Sequence, residues 1–182
     1  KRRYIYFEGA YNRSEVYLNG HLLGKRPNGY ISFMYDMTPY LKQKDNVLAV
    51  RIDHSRHADS RWYTGSGIYR DVWMIEAGDV HFDLWGVGWS TPEVSEKKAL
   101  LSVDAKIVNH ASSNSQYILS ATLYDNDGTK VANAVKDVSK EVAGATVSKL
   151  LMKVNKPKLW HLDSPYLYTL ECELLANGKT ID

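Results

Sequence analysis

Cysteine is almost absent from this sequence, because the 182 residues contain a single one, Cys172. One cysteine cannot form an internal disulfide, so the fold must rest on packing alone, which a chain of this length can supply. No apolar run approaches the ~20 residues of a membrane-spanning helix, and no signal peptide is visible at Lys1. The compartment is not determined by these absences; a bacterial periplasmic or secreted location is favoured over a cytoplasmic one.

The sequence also lacks a large excess of positive or negative charge. Lys and Arg total 23 and Asp and Glu total 21, which gives a net charge of +2. This balance predicts no nucleic-acid and no membrane partner. The one basic cluster, residues 1–3, runs directly into a strand-like segment, and three charges make a weak phosphate site.

Short β-type runs separated by Gly, Asn and Asp dominate the first part of the chain. Residues 15–18 lead into Asn19-Gly20, the strongest two-residue hairpin signal, and residues 21–24 supply the returning strand. Further strands are predicted over four segments: residues 4–7, 30–35, 47–52 and 68–75.

A second set of strands follows a seam at residues 77–80. Residues 101–107 alternate apolar and polar side chains, which is the period of a half-buried strand. The same alternation over residues 168–174 places Cys172 on the core side, where a buried apolar thiol is expected rather than a reactive one. Other strands are predicted over residues 117–124 and 147–154.

One segment also fits a helical stripe. Val131, Val135, Val138 and Val142 are spaced by four, three and four residues. Valine favours strands, however, and the neighbouring segments are strands. We therefore predict two strands, or a strand with a loop, in this region.

Strands at 8–12-residue intervals without long helices predict an all-β fold of tandem β-sandwiches. We place the first domain at residues 1–78 and the second at 79–182, the latter having the size of an immunoglobulin-like sandwich. The first domain is short for an independent sandwich, which leads us to expect a truncation at its N-terminus.

The densest candidate site lies in the predicted loop that begins at His54. Trp62 and Tyr63 offer flat apolar faces for the C–H side of a pyranose, and Asp59 and Arg61 can hydrogen bond to paired hydroxyls. Long polar loops on rigid β-scaffolds are where binding residues concentrate. Trp62 could equally be a core plug between two sheets.

The same loop and the residues after it give little support for metal binding or nucleophilic catalysis. Arg70 lies in a strand-like run, where we expect it to pair with a neighbouring carboxylate. His54, His57 and Asp59 fit no specific zinc spacing, so neither a metal nor any other cofactor is predicted. Ser66 lacks the spacing of a nucleophile elbow, and we assign no catalytic residue to this chain.

Several motifs in order resemble glycoside hydrolase family 2, and the β-galactosidase branch in particular. Residues 61–72 are similar to its R-W-Y-x-G-x-G-I-Y-R-x-V motif, at the end of the sugar-binding jelly-roll domain. Residues 16–20 resemble its V-x-L-N-G hairpin, and residues 46–51 its N-x-L-A-V-R segment. Downstream, residues 157–170 resemble the P-x-L-W…S-P-x-L-Y-x-L signature of the immunoglobulin-like domain.

The resemblance implies a retaining glycosidase whose two catalytic glutamates lie on a (β/α)8 barrel after the second domain. This sequence holds neither an Asn-Glu dipeptide nor a barrel pattern, so we expect a non-catalytic fragment, truncated at both ends. Its partners would be a β-galactoside and the barrel of the same protein, with Asp59, Arg61 and Trp62 nearest the sugar. The alternatives are a free-standing carbohydrate-binding or adhesin module and a purely structural pair of sandwiches.

Overall fold

The computed structural model describes residues 1–55, 63–111, 115–139 and 144–182, and divides them into two units. The first unit is Lys1–Ala77 and the second is Gly78–Asp182, and each has its own hydrophobic core. The all-β prediction of tandem sandwiches, a partial jelly-roll followed by an immunoglobulin-like domain, is confirmed. Within the described ranges, no helix is long and apolar enough to cross a membrane.

The described residues of the first unit form eight strands and one 3-10 helix, Thr38–Tyr40. The strands are β1 (Arg2–Phe7), β2 (Ala10–Tyr11), β3 (Ser14–Leu18), β4 (His21–Arg26), β5 (Phe33–Asp36), β6 (Leu48–Arg51), β7 (Gly67–Ile68) and β8 (Val72–Ala77). They form three antiparallel sheets, with the orders β5-β1-β8, β4-β3-β6 and β2-β7.

The predicted hairpin at Asn19-Gly20 is confirmed. Both residues have positive φ, 52° and 86°, as the turn of a two-residue hairpin requires. The Asn19 side chain also ties the turn to the next strand, because its amide donates to the Tyr40 carbonyl at 2.8 Å and its oxygen accepts from the Val47 N–H at 3.0 Å. Local turn chemistry therefore sets the register of the sheet β4-β3-β6.

The prediction of one strand over residues 68–75 is wrong. The segment belongs to two strands in different sheets, since Ile68 pairs with Ala10 while Val72 pairs with Phe7. Residues 69–71 connect β7, in the sheet with β2, to β8, in the sheet with β1.

The core of the first unit is built around two stacked rings. Phe7 and Phe33 lie 4.9 Å apart with an interplanar angle of 14°, and both are essentially inaccessible to solvent. The buried members of this core are Ile5, Phe7, Ala10, Val16, Leu18, Phe33 and Met37. Val50 and Ile52 pack against them, which shows that alternate residues of this predicted strand face the core.

The second unit is a sandwich of two antiparallel sheets, with the orders β13-β10-β9 and β12-β11-β14-β15. Its strands are β9 (Val80–Val94), β10 (Lys98–Asn109), β11 (Tyr117–Tyr124), β12 (Lys130–Asp137), β13 (Gly144–Asn155), β14 (Thr169–Ala176) and β15 (Lys179–Thr180). Val131 and Val135 lie in the strand β12, so no helical stripe forms over these two residues, and Val142 lies outside the described residues.

The core alternation of the second unit is confirmed. The core-facing side chains of β10 are all buried: Leu101, Val103, Ala105 and Ile107. Cys172 is half-buried and packs against this core, and burial, aided by Glu171, raises the pKa of its thiol. A thiol that stays protonated is a poor nucleophile, as the position of Cys172 on the core side predicted.

Candidate functional site

Only part of the candidate loop is described. The predicted sugar contacts Asp59, Arg61 and Trp62 lie outside the described residues, together with His57. Tyr63 is described, and 92% of its surface is exposed. An aromatic ring this exposed contributes nothing to the packing of its own unit, and its flat face is available to a ligand.

The two flanks of the loop are joined at their base. His54 Nδ1 lies 2.7 Å from Ser66 Oγ, which links the third residue after β6 to the residue before β7. The His54 and Tyr11 rings pack edge to face at an interplanar angle of 86°, with 4.8 Å between the ring centroids. Tyr11 in turn packs on Tyr30 at 5.3 Å. We call Tyr11, Tyr30, His54 and Ser66 the loop-base cluster.

Gly29 and Gly9 leave space for the rings of Tyr11 and Tyr69 at and beside this cluster. A Cβ on Gly29 would lie 2.3 Å from Cδ2 of Tyr11 and 3.1 Å from its Cα. The Tyr69 hydroxyl donates to the Gly29 carbonyl at 2.9 Å, and the Tyr69 ring lies where a Cβ on Gly9 would be. Segments far apart in sequence therefore meet at the base of the loop only because no side chain intervenes.

We expect Gly29→Ala to destabilise the first unit by about 1–3 kcal/mol, the usual cost of overpacking. The added methyl meets the near edge of the Tyr11 ring and its backbone, neither of which can swing away freely. Thermal unfolding measures the effect. Gly65→Ala is the matched control, because its Cβ would meet Tyr63 at an ordinary 3.5 Å. Equal unfolding temperatures for the two variants would contradict the packing described.

Asp53 fixes the start of the loop electrostatically. Its carboxylate accepts hydrogen bonds from the Ser55 hydroxyl at 2.6 Å and the Ser55 N–H at 3.0 Å. Arg13 and Arg51 approach it at 3.8 and 3.9 Å. The Ser55 bonds, reinforced by the two guanidinium groups, lower the pKa of Asp53 from 3.8 to about 2.

This depressed pKa predicts a specific acid sensitivity. The unfolded chain takes up a proton at Asp53 before the folded one does, so the stabilisation is complete above pH 3.8 and disappears as the pH falls towards 2. Asp53→Asn should remove this part of the acid destabilisation, as measured by urea unfolding between pH 4.5 and 2. Asp45→Asn, at an exposed position, is the control and should leave this part of the acid destabilisation unchanged. An unchanged pH profile in Asp53→Asn would contradict the prediction.

The expected ion pair of Arg70 does not form with any described carboxylate. The guanidinium lies over the Tyr69 ring instead, 5.3 Å from its centroid. Planar guanidinium groups stack well on aromatic faces, and this contact keeps the charge in solvent. Within the described parts of the chain, no three His, Cys, Asp or Glu side chains come close enough to hold a metal ion.

The loop-base cluster was not predicted from the sequence. Its rings come from three separate segments, and the spacing of Tyr11, Tyr30 and His54 in the sequence does not predict that they are in contact. The one available signal was Gly29 directly before Tyr30, since glycine beside an aromatic residue is compatible with a close approach.

Comparison with known proteins gives consistent matches along the chain. The family described as "Glycosyl hydrolases family 2, sugar binding domain" matches residues 1–77, and "Glycosyl hydrolases family 2" matches residues 88–182. Beta-galactosidase BoGH2A of Bacteroides ovatus is 42% identical over 179 residues, which are 98% of this chain and 21% of that protein.

Solved structures agree with these matches. A beta-glycosidase from Bacteroides vulgatus superposes with a TM-score of 0.85 and 37% identity, over 100% of this chain and 22% of that one. Bacteroides uniformis beta-glucuronidase superposes with a TM-score of 0.92 and 30% identity, over 100% and 23%. The chain thus spans about a fifth of the length of these proteins. Because a family pattern covers more than half of this chain and a relative 42% identical matches 98% of it, the chain belongs to glycosyl hydrolase family 2.

Proposed function

We propose that this chain is the sugar-facing, non-catalytic part of a longer polypeptide that hydrolyses terminal β-D-galactosides with retention of anomeric configuration. The observation that carries the proposal is the 42% identity to a Bacteroides ovatus β-galactosidase over nearly the whole chain. We assign residues 1–78 to a jelly-roll domain and 79–182 to an immunoglobulin-like domain within that polypeptide.

The proposed role of the first domain is to present one side of the sugar pocket. Trp62 and Tyr63 would pack on the C–H face of the sugar, while Asp59 and Arg61 would hydrogen bond to its hydroxyls. The exposure of Tyr63 supports this assignment. The contact between His54 and Ser66 supports it too, because a loop closed at its base loses less conformational entropy on binding.

The chemical step would belong to another domain of the polypeptide. Retaining hydrolysis needs two carboxyl groups about 5–5.5 Å apart, one as nucleophile and one as acid and then base. We place this pair on a (β/α)8 barrel outside the present chain. The loop would then contribute to catalysis only through its binding energy, by holding the sugar in the position that favours the transition state.

Hydrolysis of β-glucuronides is the second candidate, favoured by the TM-score of 0.92 to a β-glucuronidase. A glucuronide differs from a galactoside in the configuration of its C4 hydroxyl and in carrying a carboxylate at C6, and a pocket recognises that carboxylate with a cation. Arg61 would then bind that carboxylate rather than hydroxyls. The two candidates therefore assign different partners to the same guanidinium group.

The test is a substrate comparison with the full polypeptide. p-Nitrophenyl β-D-galactoside should be hydrolysed with a higher kcat/KM than the β-glucuronide, and proton NMR should show the β-anomer of galactose first. p-Nitrophenyl α-D-galactoside is the control and should not react. A preference for the glucuronide, or first release of the α-anomer, would contradict the proposal. Sugar binding without hydrolysis would favour the free-standing binding module instead.

A further inference from the structure

Three Asn-Gly dipeptides lie in this sequence, at residues 19–20, 28–29 and 177–178. An asparagine before a glycine is chemically labile, because the glycine has no side chain to hinder attack of its nitrogen on the asparagine side-chain amide. In a folded protein, the attack also depends on what holds the amide and on whether the turn can rearrange. The three dipeptides differ in both respects.

The first and third dipeptides occupy the same kind of turn. Asn19 and Gly20 have φ of 52° and 86°, and Asn177 and Gly178 have φ of 50° and 76°. Each dipeptide joins two antiparallel strands, β3 to β4 in one case and β14 to β15 in the other. Positive φ at both central residues is the type I′ pattern. The two turns therefore form a matched pair with similar backbones and different side-chain surroundings.

Hydrogen bonds hold both polar atoms of the Asn19 side chain. Its amide nitrogen donates to the Tyr40 carbonyl at 2.8 Å and to the Asn46 side-chain oxygen at 2.9 Å. Its oxygen accepts from the Val47 N–H at 3.0 Å. The group that would leave and the carbonyl that would be attacked are thus both engaged. The side chain cannot turn towards the Gly20 nitrogen without breaking these bonds.

The second dipeptide is protected in a different way. The Asn28 side-chain oxygen accepts from the Tyr30 N–H at 2.8 Å and from the Ile31 N–H at 3.2 Å. Gly29, whose nitrogen would have to attack, is buried, and a Cβ there would lie 2.3 Å from Cδ2 of Tyr11. The attacking nitrogen therefore has little room to move.

Asn177 has neither kind of protection. Asn177 and Gly178 are both exposed, and no hydrogen bond to another described residue holds the Asn177 side chain. A Cβ at Gly178 would meet nothing within 4 Å, so the space around the turn is open. The Asn177 N–H donates to the Gln116 carbonyl at 3.3 Å, which anchors the backbone on the N-terminal side of the dipeptide. The side-chain amide can therefore rotate in solvent.

A flip of the peptide unit between Asn177 and Gly178 brings the reacting atoms together. Turns of types I′ and II′ both have positive φ at the first central residue and differ in the sign of φ at the second, so the flip interconverts them. Glycine adopts either sign of φ without steric cost. The hydrogen bond from Asn177 to the Gln116 carbonyl lies outside the flipping unit and stays in place. The flip turns the Gly178 nitrogen towards Cγ of Asn177.

We propose that Asn177 is a site of spontaneous deamidation and isoaspartate formation, and that Asn19, in the same type of turn, is protected from this reaction. The Gly178 nitrogen forms a bond to Cγ of Asn177 as the Cγ–Nδ2 bond breaks, and the proton lost by the glycine nitrogen leaves with the amide as ammonia. Water then opens the resulting succinimide. Opening at Cγ gives aspartate, and opening at the main-chain carbonyl gives isoaspartate. One water enters and one ammonia leaves, so the reaction is balanced without an oxidant.

The modification changes the hairpin of β14 and β15 in charge and in backbone length. A neutral amide becomes a carboxylate, and isoaspartate also carries the main chain through Cβ, which adds one methylene group to the turn. Because the length of a hairpin turn sets the register of its strands, isoaspartate should disturb the pairing of Ala176 with Lys179. This reaction depends on the local structure of the turn and does not depend on the proposed function.

Peptide mapping by mass spectrometry of the full polypeptide tests the proposal. The protein is incubated in mildly alkaline buffer, folded or in urea, and the deamidation rate is measured at each dipeptide. The rate in urea divided by the rate in the folded protein gives the protection of each asparagine. Protection at Asn19 should exceed protection at Asn177 by about tenfold or more, because the hydrogen bonds of Asn19 must break first. Equal protection at the two sites, or greater protection at Asn177, would overturn the proposal.

Two variants at one position give an independent readout. Asn46→Ala removes an acceptor of the Asn19 amide and should raise the deamidation rate at Asn19 by about fivefold, with no change at Asn177. Asn46→Asp is the matched control, because it keeps an oxygen acceptor and should leave Asn19 protected. The same rate at Asn19 in both variants would overturn the proposal. If Asn46→Ala does not fold, the comparison of Asn19 with Asn177 in the unsubstituted polypeptide decides the question.

Discussion

Alanine in place of Phe7 is expected to lower the free energy of unfolding of the first unit by about 3–5 kcal/mol. Phe7 is fully buried and stacks on Phe33, so the substitution removes both the transfer free energy of the ring and its contacts with the second ring. Among the residues that the structure describes, the buried core of this unit has seven members. A loss of this size is a large fraction of the about 5–15 kcal/mol that stabilise an ordinary domain.

Urea unfolding with separate probes for the two units measures this effect. Leu174→Ala, at an equally buried position of the second core, should shift the transition of the second unit instead, by about 2–5 kcal/mol. Val47→Ala is the surface control, because Val47 is 65% exposed. A shift of less than about 1 kcal/mol for Phe7→Ala would mean that the ring pair is not the centre of the first core.

Removal of the Trp62 indole from the full polypeptide is expected to lower kcat/KM for the β-galactoside by about 10- to 100-fold. Covering one aromatic face by a sugar contributes about 1.5–3 kcal/mol, and this contribution would be lost in Trp62→Ala. Because Trp62 would touch the sugar and not the reacting bond, most of the change should appear in KM. Steady-state kinetics separates the two parameters.

Two controls distinguish a sugar contact from a core plug. Trp85→Ala removes an indole that is 80% exposed on the second unit, and it should leave kcat/KM unchanged. The unfolding temperature of Trp62→Ala should equal that of the unsubstituted polypeptide. If the first unit unfolds in Trp62→Ala, the residue is a core plug between two sheets, and its assignment to the sugar is wrong.

Much of the fold was predictable because its determinants are local. The alternation that places Leu101 and Val103 on one face, and the turn at Asn19-Gly20, require only neighbouring residues. The change of sheet within residues 68–75 was not predictable, since the apolar pattern is the same whether a segment pairs with β1 or with β2. The valine stripe shows the same limit, because periodicity alone fits a helix where β-propensity and strand pairing decide otherwise.

The sugar chemistry of the candidate site stays a prediction from its residue types, and the geometry at its base could not be predicted. Its residue types indicate a surface for sugars, and Tyr63 is exposed as that function requires. The hydrogen bond between His54 and Ser66 joins residues twelve positions apart across a loop, and the rings of Tyr11 and Tyr30 reach it from other segments. Contacts of this kind depend on the completed fold, and no local pattern encodes them.

The central claim, that this chain shapes a sugar site without the groups that break the glycosidic bond, is tested most directly by one rate measurement. Release of p-nitrophenol from p-nitrophenyl β-D-galactoside is followed with the 182-residue chain and, at equal concentration, with the full polypeptide. We predict no turnover above buffer for the chain and sustained turnover for the full polypeptide. Turnover by the chain alone would contradict the account, since an acid and a nucleophile would then have to lie within it.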